Sequence, residues 1–241
     1  MNFLDFIFPK RCVNCKKQGS YLCENCFIFL SFDVKSLCLI CNKASYNGLT
    51  HPVCKSKYSI DGCFSAFPYN KTAQKLIYNF KYKPYLKDLK TVLADLFYES
   101  LIQNEDFNRE LKIGNWVFIP IPLSDSKLKK RGYNQSEILA KELAKKFNIP
   151  FQNILKRVRD TKTQVGLSNI KRKENIKDAF GILNLKSEIL NHPSASSGFR
   201  KNCSTFLVDD VVTTGSTLKE AANVLKRSGA KRVIGLTLAR D

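Results

Sequence analysis

The chain has 241 residues, of which 44% are hydrophobic and 25% charged, a composition that can form a buried core and excludes disorder throughout. Forty Lys and Arg residues against twenty-one Asp and Glu residues give a net charge of +19, which favours a polyanionic partner: nucleic acid, a polyphosphate or acidic lipid headgroups. No apolar run reaches the roughly 18 residues of a transmembrane helix, and the N-terminus lacks a signal-peptide pattern, so we expect a cytoplasmic protein.

The first quarter of the chain is rich in cysteine, with eight of the nine cysteines before Phe64. C-x2-C pairs occur at Cys12/Cys15, Cys23/Cys26 and Cys38/Cys41, and His51 with Cys54 stands where a fourth pair would begin. Two residues between the cysteines let both thiolates bind adjacent corners of a tetrahedral Zn²⁺ site. In a reducing cytoplasm, such pairs are more often metal ligands than disulfides. Free buried thiols are the alternative.

The spacing divides these side chains into two closed sites for structural zinc. The first has Cys12, Cys15, Cys23 and Cys26, and the second has Cys38, Cys41, His51 and Cys54. For the second site an alternative stays open, in which His51 is an ordinary loop histidine. The fourth ligand would then be Cys63, or it would be missing and the site would be empty. Metal binding would supply much of the folding energy of so small a segment. We therefore predict a zinc-binding domain over residues 1–63 and a second domain over 64–241.

After Phe64 the pattern alternates between strands and helices. The predicted elements, in chain order, are a helical stretch within 76–101, a strand at 115–121, a helix following Gln135, a buried strand at 205–208, a helix at 217–228 and a last strand at 233–239. This order predicts parallel crossovers, and hence an α/β fold with an open parallel sheet flanked by helices.

Residues 205–217, TFLVDDVVTTGST, join a buried strand to a helix through a loop rich in hydroxyl groups. Backbone N–H groups at a helix start bind phosphate, and a glycine permits close approach. The predicted phosphate ligands are Thr213, Thr214, Gly215, Ser216 and Thr217. Asp209 and Asp210, at the strand end, suit ribose hydroxyls and Mg²⁺. Together they predict a ribose 5-phosphate pocket, and the alternative is a capped strand end without a ligand.

This stretch resembles the signature of type I phosphoribosyltransferases, which bind phosphoribosyl pyrophosphate (PRPP). Combined with the cysteine pairs, with IPIPLSDSKLKKRGYNQ at 119–135 and with GLSNIKRKENIKDAF at 166–180, it resembles the competence protein F family over nearly the full chain. One difference is Lys57, where relatives often carry a further cysteine, which leaves His51 as the fourth ligand of the second zinc. The resemblance implies a type I phosphoribosyltransferase-like sheet, a small N-terminal zinc-ribbon-like domain, and PRPP and Mg²⁺ as ligands.

Proteins of this family act in natural transformation, on incoming single-stranded DNA at the cytoplasmic side of the inner membrane. The resemblance implies the same partner and location here, with DNA-uptake proteins as candidate partners. Residues 127–177 include fifteen basic and four acidic residues, which suits binding to a phosphate backbone, although solvated loop charges are the alternative. The predicted DNA contacts are Lys129, Lys130, Arg131, Lys171, Arg172 and Lys173, with Tyr133 and Phe180 as stacking faces.

Arg131 has a second expected role. In phosphoribosyltransferases the corresponding loop, here residues 123–132, approaches the pyrophosphate, so Asp209, Asp210 and Arg131 are the expected catalytic residues. Residues 161–178 are expected to form a mobile flap over the site. Two other functions stay open: a nucleobase-salvage phosphoribosyltransferase, and an interaction module with an empty pocket. The zinc pairs and basic strip argue against the first, and the intact acids and loop argue against the second.

Overall fold

The computed structural model describes residues 9–82, 89–159, 175–183 and 202–241. Its cysteine-rich part contains one short helix, α1 (Glu24–Phe27), and two 3-10 turns, Tyr46–Gly48 and Pro52–Cys54. A single antiparallel bridge closes each of two cysteine turns, Arg11 with Gln18 around the first pair and Leu37 with Ala44 around the third. So little regular structure is consistent with a segment that depends on metal for its stability.

A parallel sheet forms the centre of the rest of the chain. The elements are, in order, β1 (Gly62–Pro68), α2 (Lys71–Tyr82), α3 (Leu89–Ile102), α4 (Glu105–Lys112), β2 (Trp116–Pro120), α5 (Asp125–Arg131), α6 (Gln135–Phe147), β3 (Leu155–Arg157), β4 (Phe180–Ile182), β5 (Ser204–Val212), α7 (Ser216–Arg227) and β6 (Arg232–Arg240). Four strands pair in the order β1-β6-β5-β2, all parallel, and β3 pairs with β4 in an antiparallel ladder. This confirms the predicted α/β class.

Helices cover both faces of the sheet. Side chains alternate between the two faces along each strand, and apolar residues on both faces are buried under helices. Phe206 of β5 belongs to a core that includes residues of α3 and α6, whereas Leu207 belongs to a core that includes Leu218 and Leu225 of α7. Trp116 stacks on Phe206 with ring centroids 3.9 Å apart. Strand β5 therefore lies in the interior of the sheet, with its carboxyl end between two layers of helices.

The structure corrects several predicted boundaries. Strand β5 does not end at residue 208, because β6 supplies partners as far as the pair of Val212 with Arg240, whereas the ladder with β2 stops at Pro120 and Val208. The acid pair thus lies inside the strand. Most of the predicted loop 123–132 is helix α5, and the helical stretch 76–101 contains parts of α2 and α3. Residues 161–174 of the expected flap lie outside the described residues.

The cysteine-rich part is joined to the sheet at residues 61–63. Asp61 exchanges hydrogen bonds with Val233, donating its N–H to the carbonyl at 2.8 Å and accepting from the Val233 N–H on Oδ2 at 2.8 Å. Lys226 Nζ lies 2.7 Å from the same oxygen. Strand β1 begins at Gly62, so the last two residues of the segment 1–63 pair with β6. Among the described residues, none of the helices has the length and apolar character that a bilayer span requires.

Candidate functional site

Asp209 and Asp210 lie near the carboxyl end of β5 and reach the first residues of α6. Ser136 Oγ donates a hydrogen bond to Asp209 Oδ1 at 3.0 Å, and Gln135 Nε2 donates to Asp210 Oδ2 at 2.7 Å. Lys81 Nζ, from the last turn of α2, lies 2.8 Å from the second oxygen of Asp210, Oδ1. Helices α2 and α6 therefore converge on the acid pair of β5, and both carboxylates have partners within the protein.

Arg131 joins this cluster through Gln135. Its guanidinium donates to Gln135 Oε1, and the same amide group donates to Asp210. Helix α5 ends directly after Arg131 at Gly132, which has a left-handed φ of 81°, and the guanidinium carbon lies 5.2 Å from the ring centroid of Tyr82. Arg131 is also close enough to Lys81 for its charge to lower the pKa of that lysine, against the stronger effect of Asp210. Sequence reasoning missed Lys81, because no spacing relates it to the acids.

Burial and charge set the protonation states of the cluster. Burial and the neighbouring Asp210 charge raise the pKa of Asp209 from 3.8 to about 7, against the opposing effects of the Asp210 N–H, Lys81 and Ser136. Burial alone would lower the pKa of Lys81, but the adjacent Asp210 more than compensates and raises it. At neutral pH, the site therefore combines a charged lysine with a carboxyl group that exchanges its proton near that pH.

The loop after β5 turns into α7 at Gly215. Gly215 has a φ of 68°, the left-handed region that favours glycine, and Ser216 is the first residue of the helix. Thr214 Oγ1 and Ser216 Oγ are 2.8 Å apart, and both residues lie at the positive end of the helix dipole. N–H groups and hydroxyls of this kind suit a phosphate group. The predicted helix start at residue 217 is one residue late.

The third cysteine turn packs on this loop. A Cβ atom built on Gly215 would lie 2.8 Å from Leu39 Cδ2, so Leu39 covers the glycine closely. Lys219 Nζ donates to the carbonyl oxygens of Leu39 at 3.1 Å and Thr214 at 2.8 Å, bridging the two segments. No sequence pattern relates residues 39 and 215, and this contact was not predicted.

All eight predicted zinc ligands form two clusters. Within each cluster the potential ligand atoms lie within 4.8 Å of one another: Cys12, Cys15, Cys23 and Cys26 in one, and Cys38, Cys41, His51 and Cys54 in the other. Asn14 Nδ2 also donates to Cys26 Sγ at 3.4 Å in the first cluster. Cys63 is instead buried in the core of the sheet. Both sets suit structural zinc, because four ligands fill a tetrahedral site.

The imidazole of His51 is oriented as a metal ligand. Its Nδ1 lies 3.3 Å from Cys41 Sγ, and its Nε2 lies 2.9 Å from the carbonyl oxygen of Ala44. A carbonyl only accepts hydrogen bonds, so Nε2 carries the proton and the lone pair of Nδ1 points into the cluster. Lys57 is exposed, with its ammonium 5.4 Å from the ring centroid of Tyr58. His51 is therefore the group that completes the second cluster.

Comparison with known proteins decides the family. Residues 134–241 match the phosphoribosyl transferase domain, and residues 3–56 match the double zinc ribbon domain. The chain is 32% identical to competence protein F of Haemophilus influenzae over 251 aligned positions, which cover 100% of this chain and 99% of the relative. The chain belongs to the competence protein F family. Its phosphoribosyltransferase-type sheet and its N-terminal zinc ribbon are thereby confirmed.

More distant relatives share parts of the chain. Competence protein ComFC of Bacillus subtilis (strain 168) is 26% identical over 178 residues, covering 73% of this chain and 63% of the relative. DNA utilization protein YhgH of Escherichia coli (strain K12) is 34% identical over 116 residues, covering 48% of this chain and 45% of the relative. A purine phosphoribosyltransferase from Pyrococcus horikoshii has a TM-score of 0.34 and 19% identity, over 62% of this chain and 83% of that structure.

In this member of the competence protein F family, the predicted DNA contacts divide into two groups. Lys129 and Lys130 are exposed on α5 beside Arg131. Lys171, Arg172 and Lys173 lie outside the described residues.

The two predicted stacking residues are packed against other parts of the protein. The Tyr133 hydroxyl donates to the carbonyl of Phe80, and the two rings pack with centroids 6.2 Å apart. Phe180 is only 5% exposed. Tyr78 and Tyr82 of α2 are instead 58% and 56% exposed, with ring centroids 5.0 Å apart. Their spacing of four residues, which places both on one helix face, was a signal that sequence reasoning did not use.

Proposed function

We propose that this protein handles incoming single-stranded DNA during natural transformation and binds PRPP with Mg²⁺ in its phosphoribosyltransferase domain. One observation carries the ligand proposal: the acid pair of β5 is followed directly by the turn at Gly215 and the start of α7. A phosphate-binding helix start beside two carboxylates matches a sugar phosphate. The printed names of the relatives, which refer to competence and DNA utilization, support the role in DNA handling.

In this proposal the 5-phosphate of PRPP lies against residues 213–217, and the ribose hydroxyls donate to Asp209 and Asp210. Asp210 already has contacts with Lys81 and Gln135, so a ribose must displace one of them or share an oxygen. A displaced Lys81 would lie with Arg131 on the side of the pyrophosphate, where two cations stabilise a leaving group whose negative charge increases. Mg²⁺, when bound, would neutralise further phosphate charge.

Single-stranded DNA would follow the surface of α5 and α2. Lys129, Lys130 and Arg131 supply phosphate contacts, and the exposed rings of Tyr78 and Tyr82 supply stacking faces for unpaired bases. The sequence adds Lys171, Arg172 and Lys173 to this path. We place this activity in the cytoplasm at the inner membrane, with DNA-uptake proteins as candidate partners.

Thermal unfolding tests the PRPP site. PRPP with Mg²⁺ is expected to raise Tm, because a ligand that binds only the folded state stabilises it. The double variant Asp209→Ala/Asp210→Ala should lose this rise, whereas the matched control Asp33→Ala/Asp106→Ala, which removes two acids outside the cluster, should keep it. The absence of any rise in the unaltered protein would contradict the proposed PRPP site.

Fluorescence anisotropy tests the DNA surface. Binding of a labelled single strand should weaken with salt, and the variant Lys171→Ala/Arg172→Ala/Lys173→Ala should have lower affinity and a shallower salt slope. Three exposed lysines of the zinc ribbon, Lys43, Lys55 and Lys57, provide the matched control triple. Equal affinity of the two triple variants would remove residues 171–173 from the proposed path.

The second candidate is a nucleobase-salvage phosphoribosyltransferase, which the domain match over residues 134–241 favours. Release of pyrophosphate from PRPP with a free base, but not with DNA, would support it. Release with DNA, or PRPP binding without release, would support the DNA-handling proposal.

A further inference from the structure

A cavity of about 220 Å³ lies between the edge strand β1, residues 32–36 and the end of α3. We infer that it binds a small oxyanion through the buried guanidinium of Arg240. The polar residues of its lining that concern this inference are Lys35, Ser36, Ser65, Asn104 and Arg240. None of them belongs to the acid pair or to the loop 213–217, so the inference goes beyond the proposed function.

Arg240 is a buried cation without a carboxylate partner. It is 6% exposed, and the only hydrogen bond of its side chain between described residues is from Nη2 to the carbonyl oxygen of Leu37, at 3.4 Å. Its Nε is buried and has no partner among them. None of the ion pairs between described residues includes Arg240. Because an unpaired buried charge is costly, the site favours an anion that supplies the missing partner.

The other groups around the cavity do not supply that negative charge. None of the described lining residues is acidic, and Lys35 adds a second positive charge. Burial raises the pKa of the Cys63 thiol to about 11, so this lining residue is neutral. Asp209 and Asp210 of the neighbouring strand β5 have other partners, since Asp209 accepts from Ser136 and from the Asp210 N–H, and Asp210 pairs with Lys81.

Hydrogen-bond donors dominate the polar lining. Asn104 Oδ1 accepts the Phe107 N–H at 2.8 Å as the cap of α4, which leaves the Asn104 amide nitrogen as a donor. Arg240 adds its guanidinium group, and Ser36 contributes a hydroxyl. A guanidinium with neighbouring N–H and O–H donors is the arrangement that binds phosphate and carboxylate. At about 220 Å³ the cavity is smaller than the roughly 300–1,000 Å³ of most ligand pockets, so it suits a small anion rather than a nucleotide.

The experiment must separate this cavity from the phosphate loop, because Arg240 pairs with Val212 next to that loop. The variant Thr214→Asp places a carboxylate at the start of α7, which favours the helix and repels phosphate from the loop. In this background, inorganic phosphate at about ten times its Kd should raise Tm by about 3–6 °C relative to chloride at equal ionic strength. Adding Arg240→Gln should abolish the rise, and the control Arg227→Gln should not.

A second variant keeps the test valid if Arg240→Gln does not fold. Ser36→Asp supplies an internal counter-ion, so it should raise Tm without phosphate and remove the phosphate response. Ser31→Asp, on the same exposed segment but outside the cavity lining, should do neither. A phosphate response that survives Arg240→Gln, or a Ser36→Asp variant that behaves as Ser31→Asp does, would overturn the inference.

Two probes identify the kind of anion. A response to acetate and phosphate alike indicates general oxyanion recognition by Arg240, and a response to phosphate alone restricts the ligand to phosphate groups. No response to either probe in the Thr214→Asp background overturns the inference. Loss of PRPP binding in the Asp209→Ala/Asp210→Ala variant leaves this cavity unchanged, so the failure of one proposal is distinguishable from the failure of the other.

Discussion

The ammonium group of Lys81 lies 2.8 Å from the carboxylate of Asp210, whose side chain is only 6% exposed. The pair connects the end of α2 to β5, and the lysine side chain is 21% exposed. Gln135 donates to the other oxygen of this carboxylate, so Lys81 and Gln135 together hold Asp210 in one orientation. This relationship makes the structural role of Lys81 separable from its proposed role toward pyrophosphate.

Replacing Lys81 by Met should destabilise the fold by about 1–3 kcal/mol, because Asp210 is left buried without its cation. Because the Lys81 side chain is 21% exposed, solvent screens the pair, and the loss of stability should be smaller than for a fully buried ion pair. Urea unfolding followed by the fluorescence of Trp116, the single tryptophan, measures it. The control is Lys141→Met, whose more exposed pair with Glu137 should contribute at most about 0.5 kcal/mol. Equal losses in the two variants would argue against a special role for the Lys81 pair.

Stability should fall as pH rises from about 4 to about 7. The folded pKa of Asp209, about 7, is above its ordinary value of 3.8, so in this range the folded state holds a proton that the unfolded state has released. The free energy of unfolding therefore falls between about pH 4 and pH 7. Above pH 7, Asp209 makes no further contribution to its pH dependence. Asp209→Asn should remove that part of the pH dependence, whereas Asp106→Asn should keep it. Identical pH profiles of the unaltered protein and Asp209→Asn would contradict the raised pKa.

Affinity for PRPP with Mg²⁺ should increase across neutral pH. Ribose hydroxyls and Mg²⁺ both need the ionised form of Asp209, and deprotonation near pH 7 supplies it. Calorimetric titration at pH 6 and pH 8 should show tighter binding at the higher pH in the unaltered protein. Asp209→Asn should bind more weakly and with a smaller dependence on pH, and the remaining dependence comes from the ionisation of the PRPP phosphates, whose second pKa is about 6.

His51→Ala should reduce bound zinc from two ions to one. Removing the imidazole leaves three thiolates in the second cluster, which no longer fill a tetrahedral site. Elemental analysis of the purified protein gives the count. His51→Cys should retain two ions and Cys63→Ser should also retain two, because Cys63 belongs to the core. Two ions in His51→Ala would show that another group completes the site.

Leu39→Ala should lower the free energy of unfolding by about 2–4 kcal/mol, because a side chain that is 2% exposed leaves a cavity against Gly215. The matched control is Ile40→Ala. Because Ile40 is 39% exposed, this change should lower the free energy of unfolding much less. The Tm rise with PRPP should also decrease in Leu39→Ala, since the leucine supports the phosphate loop. An unchanged PRPP response would confine the role of Leu39 to stability.

Tyr78→Ala/Tyr82→Ala should weaken single-stranded DNA binding by about 1–3 kcal/mol for each stacked base, with little change in salt slope. The slope depends on phosphate contacts, which this change leaves in place. The control is Tyr46→Ala, because Tyr46 is exposed in the zinc ribbon, away from the proposed path, and its loss should leave DNA affinity unchanged. A changed slope would indicate that Arg131, packed over Tyr82, has also moved.

Local patterns predicted the parts of this fold that depend on local chemistry. The C-x2-C spacing predicted both metal clusters, and the run of apolar residues, acids and hydroxyls at 205–217 predicted a strand, a turn at Gly215 and a helix. The limits of β5 were not predictable in this way, because its last four residues are fixed by pairing with β6 rather than by their own composition.

Contacts between distant residues were the main omission. Lys81 and Asp210 are far apart in sequence, as are Leu39 and Gly215, and neither pair has a spacing that relates its members. Tyr133 was predicted to be available for stacking, but its ring and hydroxyl are both used by Phe80. A single sequence gives residue types and periodicity, whereas these relationships depend on which surfaces meet after folding.

The junction at Asp61 means that the cysteine-rich part and the rest of the chain do not have independent borders. A protein shortened to begin at Phe64 would lose the start of β1, the two hydrogen bonds between Asp61 and Val233, and the carboxylate that faces Lys226. It would also uncover Gly215 by removing Leu39. Excision of the ribbon would therefore damage the remaining domain at its edge and at its glycine turn, and an inactive fragment would not show that the metal-binding part takes part in the chemistry.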